Sequence, residues 1–282
     1  MNKTIKPFMR WAGSKRQLSG HLKQYWSDDH SRYLEPFMGS ANLFFNVQPS
    51  VSILSDSNFE LVNCFDVIKN HPKRLSRELS VLRKDRDLYY EIRAINKQAL
   101  GKIRRAAYFL YLNRFCFNGL YRTNLQGKFN VPYAPNKTGG LPSLELLYEV
   151  SGVLANSKVV CEDYSSFLLS NVIAGDFIYL DPPYVDPNKR IFNEYGPSIF
   201  NWGDFLNLVS LLKNIDDRGA TFLLSFAFSQ EALDLLSDWG VAEVLTRRTI
   251  NSDSGKRGLK KELVATNRNI ITSRECDVIL NG

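Results

Sequence analysis

Short strand-forming segments alternate with helix-forming segments along most of the chain, and this alternation restricts the fold more than any other feature. The strand-forming segments are rich in β-branched and aromatic residues, and they span 32–37, 50–56, 157–163, 175–181, 220–227, 241–250 and 261–267. Helix-forming segments stand between several of them, at 43–47, 201–216 and 230–240. The pattern predicts an α/β fold with a doubly wound, mostly parallel sheet of seven strands.

The last two strand-forming segments are predicted to pair as a hairpin. The loop between them, 251–260, reads NSDSGKRGLK and is polar, basic and glycine-containing. We expect this loop to be mobile, because such a composition is typical of loops without fixed structure.

Residues 57–150 interrupt the alternation, since this segment has a helical pattern and a strongly basic composition. It carries 16 Lys and Arg against 8 Asp and Glu, a net charge of +8, whereas the rest of the chain carries −1. No acidic residue lies between Glu91 and Glu145, where nine basic residues stand among aromatics and amides. A long acid-free stretch of this kind is typical of a surface that binds nucleic acid. We therefore predict a discontinuous domain formed by 1–56 and 151–282, and an inserted domain at 57–150.

Composition argues against several classes of protein. The apolar runs are too short to cross a bilayer, and the N-terminal residues contain no apolar signal core. The three histidines, His21, His30 and His71, form no metal-binding or catalytic motif. The four cysteines are scattered without a CxxC pair. These features predict a reduced, cytoplasmic protein with no metal site and no histidine-dependent hydrolysis.

The tetrapeptide Asp181-Pro182-Pro183-Tyr184 follows a strand-forming run, Ile178 to Leu180. Proline has a fixed φ and no N–H, so the strand must end there and the following loop must be stiff. In open α/β sheets, ligands bind beyond the carboxyl ends of strands. The sequence therefore predicts that Asp181 and Tyr184 line a binding site.

Two more acids, Asp56 and Asp163, end other predicted strands, and Gly39 lies in the turn after the first strand. A glycine there lets the backbone approach a ligand, and an acid after the next strand can accept hydrogen bonds from ribose hydroxyls. The glycine pattern is not GxGxxG, so a dinucleotide pyrophosphate is poorly supported. An adenosine-containing cofactor without a pyrophosphate fits the pattern better.

Four segments carry a resemblance to a known family. In family order they are PFMRWAGSKRQL (7–18), YLEPFMGSANLFF (33–45), FLYLNRFCFNGLYRTNLQGKFNVPY (109–133) and DPPY (181–184). Together they resemble the Dam-type DNA adenine-N6 methyltransferases, the alpha group of the D12 class. The resemblance implies a sheet of the methyltransferase type, S-adenosylmethionine (SAM) as cofactor with S-adenosyl-L-homocysteine as product, and double-stranded DNA as substrate, most often at GATC.

The resemblance also implies roles for residues at the matched positions of this chain. For the cofactor, Trp11 and Lys15 would help to hold SAM, Phe37 would lie beside it, and Gly39 would let the backbone approach it closely. Asp56 would accept the ribose hydroxyls, Asp163 would accept the adenine amino group, and Asp181 would also adjoin the cofactor.

In catalysis, Asp181 and the carbonyl of Pro182 would accept the two hydrogens of the target amine, so that its lone pair is aimed at the methyl group. Pro183 would stiffen the loop, and Tyr184 would stack on an adenine flipped out of the duplex. The residues expected to contact DNA are Arg10, Asn118, Leu120, Arg122 and Pro132, with Arg122 reading a guanine.

The chain departs from the family pattern at Arg10, where lysine is common, and at Ser14 and Ala41, where glycine is common. An added methyl group at 41 is expected to tighten the cofactor pocket. Ser40 stands between Gly39 and Ala41.

Two other functions stay open at this point. The first is SAM-dependent methylation of RNA or of a protein amide, and the second is a DNA-binding regulator that keeps the fold without catalysis. We expect a monomer in a bacterial or phage-encoded setting, associated with the nucleoid and not with a membrane. A cognate restriction endonuclease encoded nearby is left open as a partner.

Overall fold

The computed structural model describes residues 5–124, 126–134, 139–185, 200–247, 259–271 and 278–280. The strands in this part of the chain are β1 (Tyr33–Glu35), β2 (Ser52–Ser55), β3 (Ser157–Val160), β4 (Phe177–Leu180), β5 (Thr221–Ala227), β6 (Gly240–Arg247), β7 (Leu259–Thr266) and β8 (Val278–Leu280). They form one sheet in the order β3-β2-β1-β4-β5-β7-β6-β8.

The sheet confirms the predicted doubly wound fold. Strands β3, β2, β1, β4 and β5 are parallel neighbours, and β7 runs antiparallel between β5 and β6. The seven predicted strands correspond to β1 through β7, while β8 is a short additional strand that was not predicted.

The predicted hairpin is also present, since β6 and β7 pair from Gly240 opposite Thr266 to Arg247 opposite Leu259. Residues 251–258 of the connecting loop and residues 248–250 of the predicted strand lie outside the described residues. The expected mobility of the loop therefore stays a prediction.

The helices in the same ranges are α1 (Ser19–Lys23), α2 (Asn42–Val47), α3 (Phe59–Asn70), α4 (Pro72–Ser80), α5 (Arg86–Ala94), α6 (Lys102–Phe115), α7 (Leu144–Leu154), α8 (Tyr164–Asn171), α9 (Trp202–Asp217) and α10 (Gln230–Leu235). Several begin at a residue whose side chain accepts an otherwise unpaired backbone N–H. Asn58 does this for α3 and Ser143 for α7, and Asn201 forms a capping box with Asp204 at α9. A search of the described helices for one long and apolar enough to cross a membrane finds none.

Alternate residues of the strands face two hydrophobic cores. Tyr33, Leu54 and Phe177 pack with α2, α3, α6 and α7 on one face of the sheet. Leu34, Ile53 and Ile178 pack with α8 and α9 on the other face. Since both faces are covered, β2 and β4 are buried along their whole length. This explains the apolar sequence of β4, whereas in β2 two buried serines flank Ile53 and Leu54.

A third, smaller core lies away from the sheet. It is built by Tyr89, Ile92, Tyr111, Leu112, Phe115, Cys116, Phe129 and Val131. Helices α3, α4 and α7, from the two ends of the predicted insertion, belong instead to the first core against the sheet. The division of the chain at 57 and 150 stays a prediction, and the third core is the part of the insertion that packs on its own.

Candidate active site

The strand order creates a crevice at the carboxyl edge of the sheet, where β1 and β4 are neighbours. From β1 the chain continues outward to β2 and β3, and from β4 it continues in the opposite direction to β5. Ligands of open α/β sheets bind at such a switch point. Gly39 follows β1 and Asp181 follows β4, so the two flank this crevice.

Asp181 is anchored through one of its two carboxylate oxygens. Its Oδ1 atom accepts a hydrogen bond from Ser225 Oγ at 3.1 Å and lies 2.8 Å from Lys15 Nζ. Ser225 is in turn hydrogen-bonded to the Tyr179 hydroxyl at 3.0 Å. Within the described ranges, Oδ2 makes no hydrogen bond, so this oxygen keeps its capacity to accept one.

The ammonium group of Lys15 joins the loop after β4, residues 181–184, to β7. Besides Asp181, it donates to the hydroxyl of Tyr184 and lies 3.6 Å from Glu262 Oε2. The Lys15 side chain is only 6% exposed. Burial raises the pKa of Asp181, and the positive charge and hydrogen bond of Lys15 oppose that shift.

The aromatic ring of Tyr184 is held on two sides. Lys15 Nζ lies 4.2 Å from the ring centroid, and Phe226 makes an edge contact with a centroid distance of 5.9 Å. Of the two prolines between Asp181 and Tyr184, Pro182 is buried and Pro183 is exposed. The loop therefore presents a fixed carboxylate and a fixed ring side by side.

Asp56, after β2, is oriented by backbone N–H groups. Gly39 N donates to its Oδ2 at 3.1 Å, and Asn58 N donates to its Oδ1 at 2.9 Å. Burial raises the pKa of Asp56 to about 6, and the two backbone hydrogen bonds lower it by less. Each oxygen can still accept a further hydrogen bond.

Trp11 closes the turn after β1. A Cβ placed on Gly39 would lie 2.9 Å from Trp11 Cδ1, and Gly39 has φ +45°, so glycine is required there on two grounds. On its other side, Trp11 stacks on Tyr121 with a centroid distance of 5.7 Å. Ala41 has φ +51°, the left-handed conformation that glycine adopts without strain, so the departure from glycine at this position leaves alanine in a disfavoured backbone region.

Phe37 and Asp163 lie farther along the same edge. Phe37 stacks on Tyr164 with a centroid distance of 5.1 Å. Asp163 is exposed and caps α8 by accepting from Ser165 N at 2.9 Å. Along the sheet, the order of these groups is Asp163, Asp56, Gly39 and Asp181.

Comparison with known proteins now bears on this arrangement. Residues 11–250 match the model of the D12 class N6 adenine-specific DNA methyltransferase family. The chain belongs to this family. It is therefore an adenine-specific DNA methyltransferase, as the four sequence segments predicted.

Three curated relatives match over nearly their whole length. Type II methyltransferase M.MjaIII of Methanocaldococcus jannaschii is 35% identical, covering 90% of this chain and 95% of the relative. Type II methyltransferase M1.LlaDCHI of Lactococcus lactis subsp. cremoris is 31% identical, with 93% and 95% covered. The DNA adenine methylase of Serratia marcescens is 31% identical, with 94% and 100% covered.

In this methyltransferase, the residues predicted to contact DNA lie on two neighbouring segments. Backbone bridges between Cys116 and Tyr133 and between Thr123 and Phe129 fold residues 116–133 back on themselves. Asn118, Leu120, Arg122 and Pro132 all lie on this folded segment, which we call the 116–133 hairpin. Asn118, Arg122 and Pro132 are exposed, whereas Leu120 is half-buried.

Arg10 reaches the same hairpin from the N-terminal segment. Its backbone exchanges two hydrogen bonds with the buried side chain of Asn113, at 2.9 and 2.6 Å. A Cβ placed on Gly119 would lie 2.4 Å from Arg10 Cβ. Gly119 (φ +67°) and Asn118 (φ +53°) are both left-handed, and this turn brings the hairpin close to the start of the chain.

Arg122 is oriented by a neighbour across the hairpin. Its Nε donates to Asn130 Oδ1 at 2.8 Å. Among the residues that the structure describes, its terminal amino groups make no hydrogen bond, so the end of the guanidinium stays available for a base.

Not every basic residue of the acid-free segment is available to contact DNA. The composition of this segment predicts that Lys102, Arg104 and Arg105 contact phosphates or solvate a helix. For Arg105 this is wrong, because its guanidinium is bound to the Glu60 carboxylate at 2.7 to 3.0 Å and is largely buried. Arg104 is paired with Glu78 at 3.1 Å on the surface, while Lys102 is exposed.

Three residues of the site were not anticipated from the sequence: Glu35, Ser225 and Glu262. Glu35 is buried, accepts from the Tyr33 hydroxyl at 2.9 Å, and has its pKa raised well above the usual range by burial. Glu35 and Ser225 stand near the carboxyl ends of largely apolar strands, and a polar residue in such a position is the signal that could have found them. Glu262 follows Lys260 and Lys261 in β7, so its strand offers no such signal.

Proposed function

We propose that this enzyme transfers a methyl group from SAM to the exocyclic nitrogen of an adenine that is flipped out of duplex DNA, within the site GATC. The observation that carries the proposal is the anchoring of Asp181, whose Oδ1 is held by Lys15 and Ser225 while Oδ2 keeps its capacity to accept. A carboxylate held in this way can fix the direction of an amine without being displaced by it.

The target amine is a weak nucleophile, because its lone pair is delocalised into the purine ring. Asp181 Oδ2 would accept one of its hydrogens and the carbonyl of Pro182 the other, which favours a pyramidal nitrogen with a directed lone pair. Such positioning lowers the barrier by pre-organisation. The proline at 183 stiffens the loop that supplies both acceptors.

The residues present fit SAM. Gly39 carries no side chain that could keep a ligand from the backbone, and Trp11 packs so closely on this turn that it leaves no room for one. The carboxylate of Asp56 is fixed by Gly39 N and Asn58 N, and it retains acceptor positions for a ribose diol. When bound, SAM would supply an electrophilic methyl group on a sulfonium. Asp163 and Phe37 would contact its adenine, while Lys15 would act through Asp181.

Tyr184 would receive the flipped base. Its ring is held by Lys15 and Phe226, so stacking on it would need little further ordering. Stacking on such a ring contributes about 1–3 kcal/mol per base. That gain offsets the few kcal/mol that extrusion of a base from the duplex costs.

The 116–133 hairpin would read the DNA sequence as part of the inserted domain at 57–150. Arg122, with Nε held by Asn130, would present its amino groups to a guanine in the major groove. Asn118, Leu120 and Pro132 would contact neighbouring bases, and Arg10 would read a base from the catalytic side. The site GATC, a monomeric state and a cytoplasmic location remain predictions. The relatives' names divide between type II methyltransferase and DNA adenine methylase, so a companion restriction endonuclease also remains one.

The deciding experiment is transfer of a labelled methyl group from SAM into duplex oligonucleotides, one with GATC and one with that site scrambled. We expect label on adenine of the GATC duplex alone, and no label with Asp181→Ala, which should still bind DNA. Label in both duplexes would remove the site but keep the reaction. No label in either, with SAM bound, would redirect the proposal to RNA or a protein amide. A failure to bind SAM would leave a DNA-binding regulator.

A second experiment tests the reading role of Arg122. Arg122→Ala should relax discrimination at one base pair by about 1–3 kcal/mol while transfer continues. Asn130→Ala serves as the matched variant, because it leaves the guanidinium in place but removes its orientation, and it should give a smaller loss at the same base pair. Equal weakening on all sequences would instead make Arg122 a phosphate contact.

A further inference from the structure

We infer that Glu262 is a positioning residue of the methyl-transfer site, which holds Lys15 from β7 and gives the charged cluster around Asp181 a net negative charge. The inference rests on the proposed function, since it concerns the same reaction. It assigns a role to a strand that lies outside the matched sequence segments 7–18, 33–45, 109–133 and 181–184.

The position of Glu262 follows from the antiparallel insertion of β7. Glu262 is paired with Ala227 near the carboxyl end of β5 and with Val244 of β6. Because β7 runs opposite to β4 and β5, its first half lies at the edge where Asp181 stands. The Glu262 side chain is only 10% exposed.

Three side chains, two from the loop after β4 and one from β7, converge on the Lys15 ammonium group. It lies 2.8 Å from Asp181 Oδ1 and 3.6 Å from Glu262 Oε2, and it donates to the Tyr184 hydroxyl. The Tyr184 hydroxyl is also hydrogen-bonded to Glu262, and burial followed by the charges of Asp181 and Glu262 raises its pKa. Glu262 therefore contacts two groups: the Lys15 ammonium, which binds Asp181, and the hydroxyl of Tyr184, whose ring is the stacking surface.

The charges of this cluster do not cancel. Lys15 contributes one positive charge, whereas Asp181 and Glu262 contribute two negative ones. In the reaction, the carbon–sulfur bond breaks as the carbon–nitrogen bond forms, positive charge passes to the amine nitrogen, and that nitrogen then releases a proton to solvent. A net negative cluster beside the nitrogen stabilises this transfer, while Lys15 and Asp181 alone would form a neutral pair.

The pKa of Asp181 provides a second, independent test of the role of Glu262. Several groups face Asp181, each from a different element or from its own loop: Lys15, Glu35, Tyr179, Tyr184, Ser225 and Glu262. The negative charge of Glu262 raises the pKa of Asp181 and the positive charge of Lys15 lowers it. Removing the charge of Glu262 must therefore lower that pKa, and removing the charge of Lys15 must raise it.

The experiment compares Glu262→Gln with the wild-type enzyme and with Glu243→Gln. Glu243 is a matched control, because it is a buried glutamate on β6, is ion-paired with Lys261 at 2.7 Å, and faces the opposite side of the sheet. Single-turnover methyl transfer should slow about tenfold in Glu262→Gln, as expected for one unit of charge acting across several ångströms on a partly formed positive charge. Binding of SAM and of DNA should stay within about twofold, and Glu243→Gln should transfer at the wild-type rate.

The pH arm needs no substrate. The side-chain carboxyl resonance of Asp181, followed by carbon-13 NMR, should titrate at lower pH in Glu262→Gln and at higher pH in Lys15→Gln. The acid limb of the single-turnover rate should move in the same directions. Glu262→Asp keeps the charge, so the acid limb of its rate against pH should match that of the wild-type enzyme. This variant still tests the inference if Glu262→Gln does not fold.

An unchanged Asp181 titration in a folded Glu262→Gln variant overturns the inference whatever the enzyme methylates. A normal transfer rate in that variant overturns it as well. Failure of the proposed function would look different, because the wild-type enzyme would then label no adenine. The Asp181 titration followed by NMR would still measure the effect of Glu262 in that case.

Discussion

The raised pKa of Asp56 predicts that SAM binding depends on pH in a defined direction. The carboxylate receives one backbone N–H on each oxygen, and burial raises its pKa to about 6 from 3.8. Ribose hydroxyls donate to the ionised form, whereas a protonated carboxyl offers one acceptor fewer. If only the ionised form binds, affinity is nearly full at pH 7 and about tenfold weaker at pH 5, which corresponds to about 1.4 kcal/mol.

The measurement is a calorimetric titration of SAM into the protein between pH 5 and pH 8, with Asp56→Asn alongside. The variant should bind more weakly at pH 7 by about 1.5–3 kcal/mol, the usual contribution of a hydrogen bond to a charged group. Its affinity should also lose the inflection near pH 6. Asp181→Asn is the matched control, because Asp181 also has a raised pKa but is not expected to contact the ribose. A wild-type dissociation constant that stays within twofold from pH 5 to pH 7 would refute the reasoning.

Two further predictions concern stability and recognition. Arg32→Ala should lower the free energy of unfolding by about 3–5 kcal/mol in urea denaturation, because it removes the cation that binds the fully buried carboxylate of Asp176 at 2.7 and 2.8 Å; a loss below about 1 kcal/mol would contradict this expectation. Gly119→Ala should weaken discrimination between DNA sequences, since its Cβ would collide with Arg10 and φ +67° disfavours alanine, while SAM binding should not change in calorimetry.

Much of the fold could be predicted because buried parallel strands carry a distinctive local signal. Strand β4 is a short apolar run and β2 lies in an alternating segment, and each is followed by an acid, so Asp56 and Asp181 could be found at those strand ends. The hairpin of β6 and β7 could be predicted from two strand-forming runs around a polar loop. The three-residue β8 could not, because a strand that short at a sheet edge has almost no local pattern.

The parts that escaped prediction depend on which distant elements meet. Glu262 reaches Lys15 only because β7 inserts between β5 and β6, and no local pattern specifies that order. Arg105 looked like a phosphate contact from its charge, but Glu60, 45 residues away, neutralises it within the protein. Charge counts along a sequence cannot distinguish a cation that faces solvent from one that is already paired.

The location of the third hydrophobic core has a consequence for attempts to give this enzyme a new target sequence. Helices α3 and α7 pack on the sheet through the first core. Exchanging the whole of 57–150 for the corresponding segment of a relative would therefore replace part of that core. The 116–133 hairpin instead packs mainly on the third core, which it shares with α5 and α6, and it contacts the first core through Tyr121. If the hairpin reads the DNA sequence as proposed, a graft confined to it that keeps Tyr121 would leave the first core intact, and the exchanged segment would be much shorter than 57–150.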